Sequence, residues 1–413
     1  MHSKYLIIGS SHAALEAATA IRLIDTDCAL TLLTRDDHLP YSPTILPYVV
    51  SGRSQPDDVN LRDKTYFHDS AIKFVPGATV ISVEPTQSSL RLASAETWQY
   101  DRLLIATGAV PMLPPVAGLT NVPFHVMRSM DDAVKLRQAI GQAGSAIVLG
   151  AGLIGMHAAE NMAKAKIAVT VVELQAHALS TYFEPRASAI IEGIFARNGI
   201  RMLMGQTLSS VAQQGDGCIA TLADGRTIAA DLLLVCTGVK PNIGFLNGSG
   251  IEVDTGILVD DWMRTSVPNI WAAGDVAQAR GFWGGNVVNG ILPNAVEQGR
   301  IAGLGMADDA GVKPFPGAVP LNTYSFFGQQ AISVGRASAG DGSEIEESSN
   351  EGVYRRIVLK DGQLVGIATI NDFVDAGIMW QLIRRRTDLS SVKSEFIANP
   401  KLTGRQLMSQ IWR

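Results

Sequence analysis

Cysteine is scarce. Only Cys28, Cys218 and Cys236 occur in 413 residues, at spacings that fit neither a disulfide framework nor a CxxC metal or iron–sulfur site. A reducing compartment is expected. Long apolar runs are missing too: none approaches the roughly 18 residues of a membrane span, and the opening MHSKYLIIGSSHAALEAA lacks a basic-then-apolar leader. The expectation is a cytoplasmic protein with no membrane span. Basic charge is in short supply, with 34 Lys and Arg against 39 Asp and Glu and a formal net charge of −5. Such a balance offers no surface of the kind phosphate backbones require, so nucleic-acid binding has little support. What is present, 46% apolar and 18% charged residues, is enough core for two or three globular domains. Small-molecule chemistry is the class left standing.

The chain contains an approximate internal duplication. KYLIIGSSHAALEAATAIRLID with ALTLLTRDD, and SAIVLGAGLIGMHAAENMAKAKIAVTVVE, each open on an apolar run, pass a glycine-bearing turn and continue with helix formers into a second apolar run. The hydrophobic period changes across each turn, which predicts strand, tight turn, helix, strand. Each unit is later followed by an apolar strand ending in Thr-Gly, YDRLLIATGAVP at 100–111 and ADLLLVCTGVKPN at 230–242. A small residue there lets the backbone pass close to a bound ligand. From about Pro314 the pattern differs: GQQAISVGRA, RRIVLKDGQLVGIATI and AGIMWQLIRRR predict a hairpin sheet with a covering helix, KDG being the turn signal. Between them ASAGDGSEIEESSNEG reads as a polar surface loop.

The strongest motif is GAGLIG, Gly150 to Gly155, which obeys GxGxxG between a strand and a helix. Its glycines permit a tight turn, close approach of a pyrophosphate and close helix packing, while helix N–H groups hold the phosphates. Gly150, Gly152, Leu153, Ile154, Gly155 and Gly238 are the expected NAD contacts, with Glu173 ending the next strand near the adenosine ribose. A carboxylate there accepts from a free 2′-OH and repels a 2′-phosphate, so NAD is favoured over NADP. The first unit is less regular. GSSHAA keeps Gly9 but has Ser11 and Ala14 at the later glycine positions, and Thr34 and Arg35 stand where the ribose-binding acid belongs, with Asp36 and Asp37 able to compensate by a small shift.

GSSHAA, ATGAVP, GAGLIG, CTGVKPN and IWAAGDVA at 270–277, in that order over nearly the whole chain, resemble the pyridine nucleotide–disulfide oxidoreductases, and among them the rubredoxin-, ferredoxin- and nitrite-reductase-like branch. The resemblance implies an α/β fold of two Rossmann-like domains, for FAD and NAD, plus a C-terminal α+β domain. The expected boundaries are 1–115 and 243–310 for the FAD domain, 116–242 for the NAD domain and 311–413 for the C-terminal interface domain. It implies that FAD is held by Gly9, Ser10, Ser11, His12, Ala13 and Ala14 of the first turn, by Thr34 and Arg35, and by Ser42, Pro43 and Thr44. Val80, Ala106, Thr107, Gly108, Gly274, Asp275 and Val296 complete the set, Asp275 meeting the ribityl and pyrophosphate region. The helix matched by NAVEQGRIAG, 294–303, is implied to aim its N-terminus at the isoalloxazine, where reduced flavin gathers negative charge.

Disulfide-reducing relatives carry a cysteine beside the flavin in a loop that here reads HLPYSPTILPYVVSG, with Thr44 in its place. A hydroxyl cannot form the thiolate, mixed disulfide or sulfenic acid those reactions need. The Lys and Glu pair of the electron-transfer branch is also missing, His157 standing at the Glu position and Leu153 where some relatives carry an aromatic. No catalytic acid or base is carried over, and His157 reads better as a packed helix histidine than as a flavin contact. No metal site is expected in the chain. With no second redox centre in the sequence, the electrons must go to a small oxidant or to an iron–sulfur partner. The loop together with NDFVDAGIMWQLIRRRTDLS further resembles the FAD subunits of 2-oxoacid:acceptor complexes of the phenylglyoxylate-oxidising kind, implying an NAD-reducing subunit in a hetero-oligomer or a homodimer. The alternatives are a stand-alone ferredoxin or rubredoxin reductase or NADH oxidase, and a catalytically silent nucleotide-binding regulatory or assembly protein. Arg384 to Arg386 read as a helix end that complements the macrodipole before they read as a patch for an acidic partner.

Overall fold

The computed structural model describes residues 1–411 apart from 337 and 339. It comprises two compact units, one of Met1–Pro111, Arg128–Asp131 and Val239–Ala318, the other of Met112–Met127, Asp132–Gly238 and the chain from Val319 onward.

The first unit opens with β1 (His2–Ile8), α1 (His12–Ile24) and β2 (Leu30–Leu33), to which β3 (Ile72–Val75) adds in parallel. A hairpin of β4 (Val80–Glu84) and β5 (Ser89–Leu92) joins β6 (Thr97–Ile105), giving the order β3-β2-β1-β6-β5-β4. Every residue of β2 is buried, as the Leu-rich run predicts for a parallel strand covered on both faces.

The duplicate lies in the second unit. There β7 (Ser145–Leu149), α2 (Leu153–Lys164), β8 (Ala168–Glu173), β9 (Arg201–Met204) and β10 (Leu232–Val235) form a parallel sheet of order β9-β8-β7-β10. An antiparallel meander of Leu208–Gln214, Gly217–Leu222 and Thr227–Ala230 separates β9 from β10.

The chain then returns to the first unit, where β11 (Ile270–Ala272) pairs with β6 and α3 (Leu292–Met306) lies along α1. A Cβ at Gly299 or Gly303 would come within 2.2 and 2.4 Å of the Ala13 and Ala17 carbonyl oxygens, so the GRIAG stretch is what lets the two helices touch.

The last part of the second unit is an antiparallel sheet of β12 (Leu321–Phe326), β13 (Gln329–Gly335), β14 (Glu344–Asn350), β15 (Val353–Lys360) and β16 (Gln363–Ile370), in the order β12-β13-β16-β15-β14. Asp361 and Gly362 both take positive φ in the KDG turn, the hairpin geometry its sequence predicts. The covering helix is α4 (Ala376–Arg384), capped by the Asp375 carboxylate and burying Met379, Leu382 and Ile383. At its end Arg384 closes the last turn, its guanidinium 4.3 Å above the Trp380 ring, and Arg385 is the C-cap.

One expectation needs correction. The polar stretch expected to be a loop contains β14, paired with β15 from Glu344 to Asn350 although every one of its residues is exposed; positions 337 and 339 of that stretch lie outside the described residues. An edge strand needs backbone pairing rather than burial, and Glu347 adds ion pairs to Arg186 and Arg356 at 2.6 and 3.0 Å.

Candidate functional site

Two strand–turn–helix corners carry the expected contacts. In the first unit, Gly9 leaves β1 with φ +127°, and a Cβ there would sit 2.2 Å from the Ala106 carbonyl oxygen. The GSSHAA and ATGAVP motifs therefore meet backbone to backbone, as only glycine allows. Ser10 Oγ donates to Thr34 Oγ1 at 3.2 Å, and Ser11 starts α1 without capping it through its hydroxyl. Ala13 and Ala14 are buried under the helix. Thr34 is buried and accepts from the Asp36 amide, whereas Arg35 is exposed. The Asp36 carboxylate accepts from the Tyr41 hydroxyl at 2.6 Å and from the His38 amide at 3.1 Å. Burial, then that carboxylate, holds the Tyr41 phenol protonated well above its ordinary value.

Val80 is half-buried at the start of β4. Thr107 Oγ1 donates to the Asn242 carbonyl at 3.0 Å, and the Asn242 amide donates to the Gly108 carbonyl at 2.9 Å. After β11, Asp275 Oδ2 meets Arg128 Nη2 at 3.2 Å, while Arg128 Nε donates to the Ala109 carbonyl at 2.9 Å. Gln298 of α3 accepts from the Gly274 amide at 2.9 Å, and Val296 is half-buried in the same helix. The loop supplies a string of side chains: His12 Nε2 and Ser42 Oγ are hydrogen-bonded at 2.9 Å, and Ser42 Oγ and Thr44 Oγ1 at 2.7 Å, with Pro43 opening the short 3₁₀ turn between them.

In the second unit, Gly150 repeats the role of Gly9, with φ +107° and a Cβ position 2.3 Å from the Cys236 carbonyl oxygen. Gly155 lies against the Gly150 carbonyl at 2.0 Å from its would-be Cβ, whereas Gly152 has nothing within 4 Å. Close packing at the third glycine and open space at the second is the arrangement a pyrophosphate requires. Glu173 Oε2 accepts from the Ala151 amide at 2.6 Å and Oε1 from the Gln175 amide at 2.7 Å. Each oxygen keeps a lone pair for a further donor such as a ribose hydroxyl. Leu153 is half-buried, Ile154 is exposed at the start of α2, and Gly238 takes positive φ after β10.

These residues fit both dinucleotides. The first turns of α1, α2 and α3 have no side-chain cap, whereas the helix Pro185–Arg197 and α4 are capped by Glu184 and Asp375. Uncapped first-turn N–H groups call for an acceptor, and a phosphate or an anionic ring edge is a natural one. In the first turn of α3, both carboxamide atoms of Asn294 are buried without a hydrogen-bond partner, an orphan pair that a complementary donor–acceptor edge would satisfy.

His157 is packed: its ring stands edge-on to Tyr324 with centroids 4.6 Å apart, and burial lowers its imidazole against the opposing pull of Glu160. Desolvation pushes the Cys236 thiol up to about 12, and burial also raises Cys28 and Cys218. Arg128, Asn294 and the Tyr41–Asp36 bond are the features the sequence reading missed. Arg128 lies between the duplicated units in no recognisable motif, and Asn294 is a helix asparagine whose burial sequence does not report. Among the described residues no group of three His, Cys, Asp or Glu side chains is placed to hold a metal, and no helix is long and apolar enough to cross a membrane.

Residues 3–299 match the family described as pyridine nucleotide-disulphide oxidoreductase, and residues 320–387 the rubredoxin NAD+ reductase C-terminal domain. The chain is 50% identical over 416 aligned residues to the NADH-dependent phenylglyoxylate dehydrogenase subunit epsilon of Aromatoleum evansii, covering 100% of this chain and 99% of the relative. It is 27% identical to the nitrite reductase [NAD(P)H] of Bacillus subtilis over 96% of its own length, spanning 49% of that protein. Among solved structures, the ferredoxin reductase for the CYP199A2 system of Rhodopseudomonas palustris superimposes with a TM-score of 0.82 at 29% identity, over 89% of this chain and 91% of that one.

Proposed function

This chain belongs to the pyridine nucleotide-disulphide oxidoreductases and is an FAD- and NAD(H)-dependent oxidoreductase with two Rossmann-type domains and a C-terminal domain, and from that premise we propose that it carries electrons between NAD(H) and an iron–sulfur partner. In this reading it is the NAD⁺-reducing subunit of a cytoplasmic 2-oxoacid dehydrogenase complex whose substrate is phenylglyoxylate. The observation that carries the reading is the end-to-end likeness to a subunit of such a complex. Thr44 supports it, because the loop offers no thiol for disulfide chemistry.

In the same reading the segments 1–115 and 243–310 hold FAD. Gly9 to Ala14 take the pyrophosphate at the uncapped start of α1, Thr34 and Arg35 lie toward the ribose, and Asp275 and Arg128 take the ribityl and pyrophosphate region. Ser42 to Thr44, Val80, Ala106 to Gly108 and Val296 line the rest. Gly150 to Gly155, Glu173 and Gly238 hold NAD(H) in the segment 116–242, and the segment 311–413 meets the partner. Bound FAD supplies the exchange of a hydride with nicotinamide and of single electrons with a metal cluster. The chain itself binds, orients and shields.

An anaerobic titration of the purified protein with NADH, followed by flavin absorbance, tests this. Stoichiometric bleaching with little turnover on admitting oxygen is expected. Rapid NADH consumption under air would replace the reading by an NADH oxidase, and a protein that takes up no FAD on reconstitution would end the catalytic reading.

A further inference from the structure

The string His12–Ser42–Thr44 is an unusual use of polar side chains for a site that needs no acid or base to move a hydride. Its three members come from the first turn of α1 and from the loop after β2, and they are linked at 2.9 and 2.7 Å. His12 and Ser42 are half-buried and Thr44 is exposed. A serine hydroxyl between an imidazole and a second hydroxyl can accept a proton on one side while releasing one on the other, so the string conducts protons without any member changing charge for long.

The electron-transfer reading, on which this inference rests, gives such a string a task. A hydride equals one proton and two electrons. When NADH delivers it, the proton comes with the electrons. When two electrons arrive singly from an iron–sulfur partner, one proton from water must join them before a hydride can leave to NAD⁺, and in the opposite direction one proton must be released. We propose that His12, Ser42 and Thr44 form the proton relay for the one-electron side of the reaction, with Thr44 at the isoalloxazine end and His12, beside the pyrophosphate, at the end that takes protons from water.

The surroundings favour this route. Asp275, the carboxylate that acts on His12, is engaged by Arg128. Tyr41, on the same loop, has its hydroxyl committed to Asp36 and to the Met130 amide at 2.6 and 2.9 Å, and is held protonated by burial. Burial lowers the His12 imidazole, against Asp275, which favours the neutral ring, and a neutral imidazole has one nitrogen to accept a proton and one to donate it.

The test compares two ways of reducing the flavin in the FAD-loaded full chain, by NADH and by reduced methyl viologen, a one-electron donor, with stopped-flow absorbance in H₂O and D₂O. In His12→Asn and in Ser42→Ala, the ratio of the viologen rate constant to the NADH rate constant is expected to fall roughly tenfold or more. In the parent, the viologen rate falls as pH rises through the His12 titration, which burial holds below the ordinary 6.5; His12→Asn lacks that inflection, and added imidazole raises its rate. Flavin content and melting temperature show whether each variant is folded; should His12→Asn fail, Ser42→Ala and Thr44→Val carry the comparison. A ratio unchanged in the folded variants overturns the relay. A parent that NADH does not bleach overturns the electron-transfer reading, is seen before any variant is compared, and takes the relay with it.

Discussion

Arg128 and Asp275 stand 147 positions apart in the chain, yet their side chains meet at 3.2 Å, and the same guanidinium reaches back to the Ala109 carbonyl. One side chain thus ties the turn after β6 to the loop after β11. The two side chains are 18% and 29% exposed, so removing Arg128 takes a charge-assisted partner from the Asp275 carboxylate in a partly dry place, a cost of about 1–3 kcal/mol. Arg128→Met is expected to weaken FAD retention about tenfold or more, read as flavin fluorescence in equilibrium dialysis. Arg128→Lys should recover only part, since one ammonium cannot match the planar fork that serves both acceptors. Equal FAD affinity in all three proteins would separate the pair from the cofactor.

Glu173 does two jobs that mutation can split. Its carboxylate braces the glycine turn through the Ala151 and Gln175 amides, and its charge opposes a 2′-phosphate. Glu173→Gln removes the charge and keeps one acceptor of the two, its NH2 group facing the other amide, so the NADH preference over NADPH should shrink roughly tenfold with a partial loss of melting temperature. Glu173→Ala removes both, and should also lower stability by about 1–3 kcal/mol because the Ala151 amide loses its acceptor. Half-saturation constants for flavin bleaching by each nucleotide decide the matter, and an unchanged preference in Glu173→Gln places the charge away from the ribose.

Gly155→Ala asks whether the two corners tolerate the same change. The first unit already carries Ala14 at the corresponding position, but in the second unit a Cβ on Gly155 would lie 2.0 Å from the Gly150 carbonyl oxygen. That atom is backbone and can yield only by moving the turn. The variant is expected to lose most of its NADH response while still binding FAD, measured by bleaching and by flavin content in one preparation. Retention of full NADH affinity would mean that α2 can slide away from β7 at little cost.

How far these features could be read in advance depends on how local their physics is. Gly150 to Gly155 and Glu173 were legible because a tight turn, a helix start and a strand end follow one another within 24 positions and each constrains residue type. Gly9 is legible in the same way, and Ala14 follows it in a helix turn where it is buried. Arg128 was not, since its partners belong to motifs on either side of a long insertion and nothing in VMRSMDD marks it. The strand at Glu344–Asn350 was read as a loop because its stability lies in backbone pairing at a sheet edge, which imposes no alternation of apolar and polar residues. Asp36, one of the two acids able to stand in near the ribose, also holds the Tyr41 hydroxyl, a bond that only the folded loop creates.

His157 offers a prediction about acid stability. Its ring is packed edge-on against Tyr324, and burial lowers its imidazole below the ordinary 6.5 while Glu160 pulls the other way. A histidine whose folded value lies below its unfolded one binds fewer protons when folded, so stability must fall as pH drops through 6.5 toward the folded value. His12 and His125 are lowered by burial as well and contribute slopes of the same sign. Melting temperature is therefore expected to fall between about pH 7 and pH 5, and His157→Phe, which keeps an aromatic ring against Tyr324 but has no proton to take up, should flatten that fall without abolishing it. If the variant and the parent lose stability in parallel across this range, His157 takes up its proton without cost, and the ring must swing free of Tyr324 when it does so.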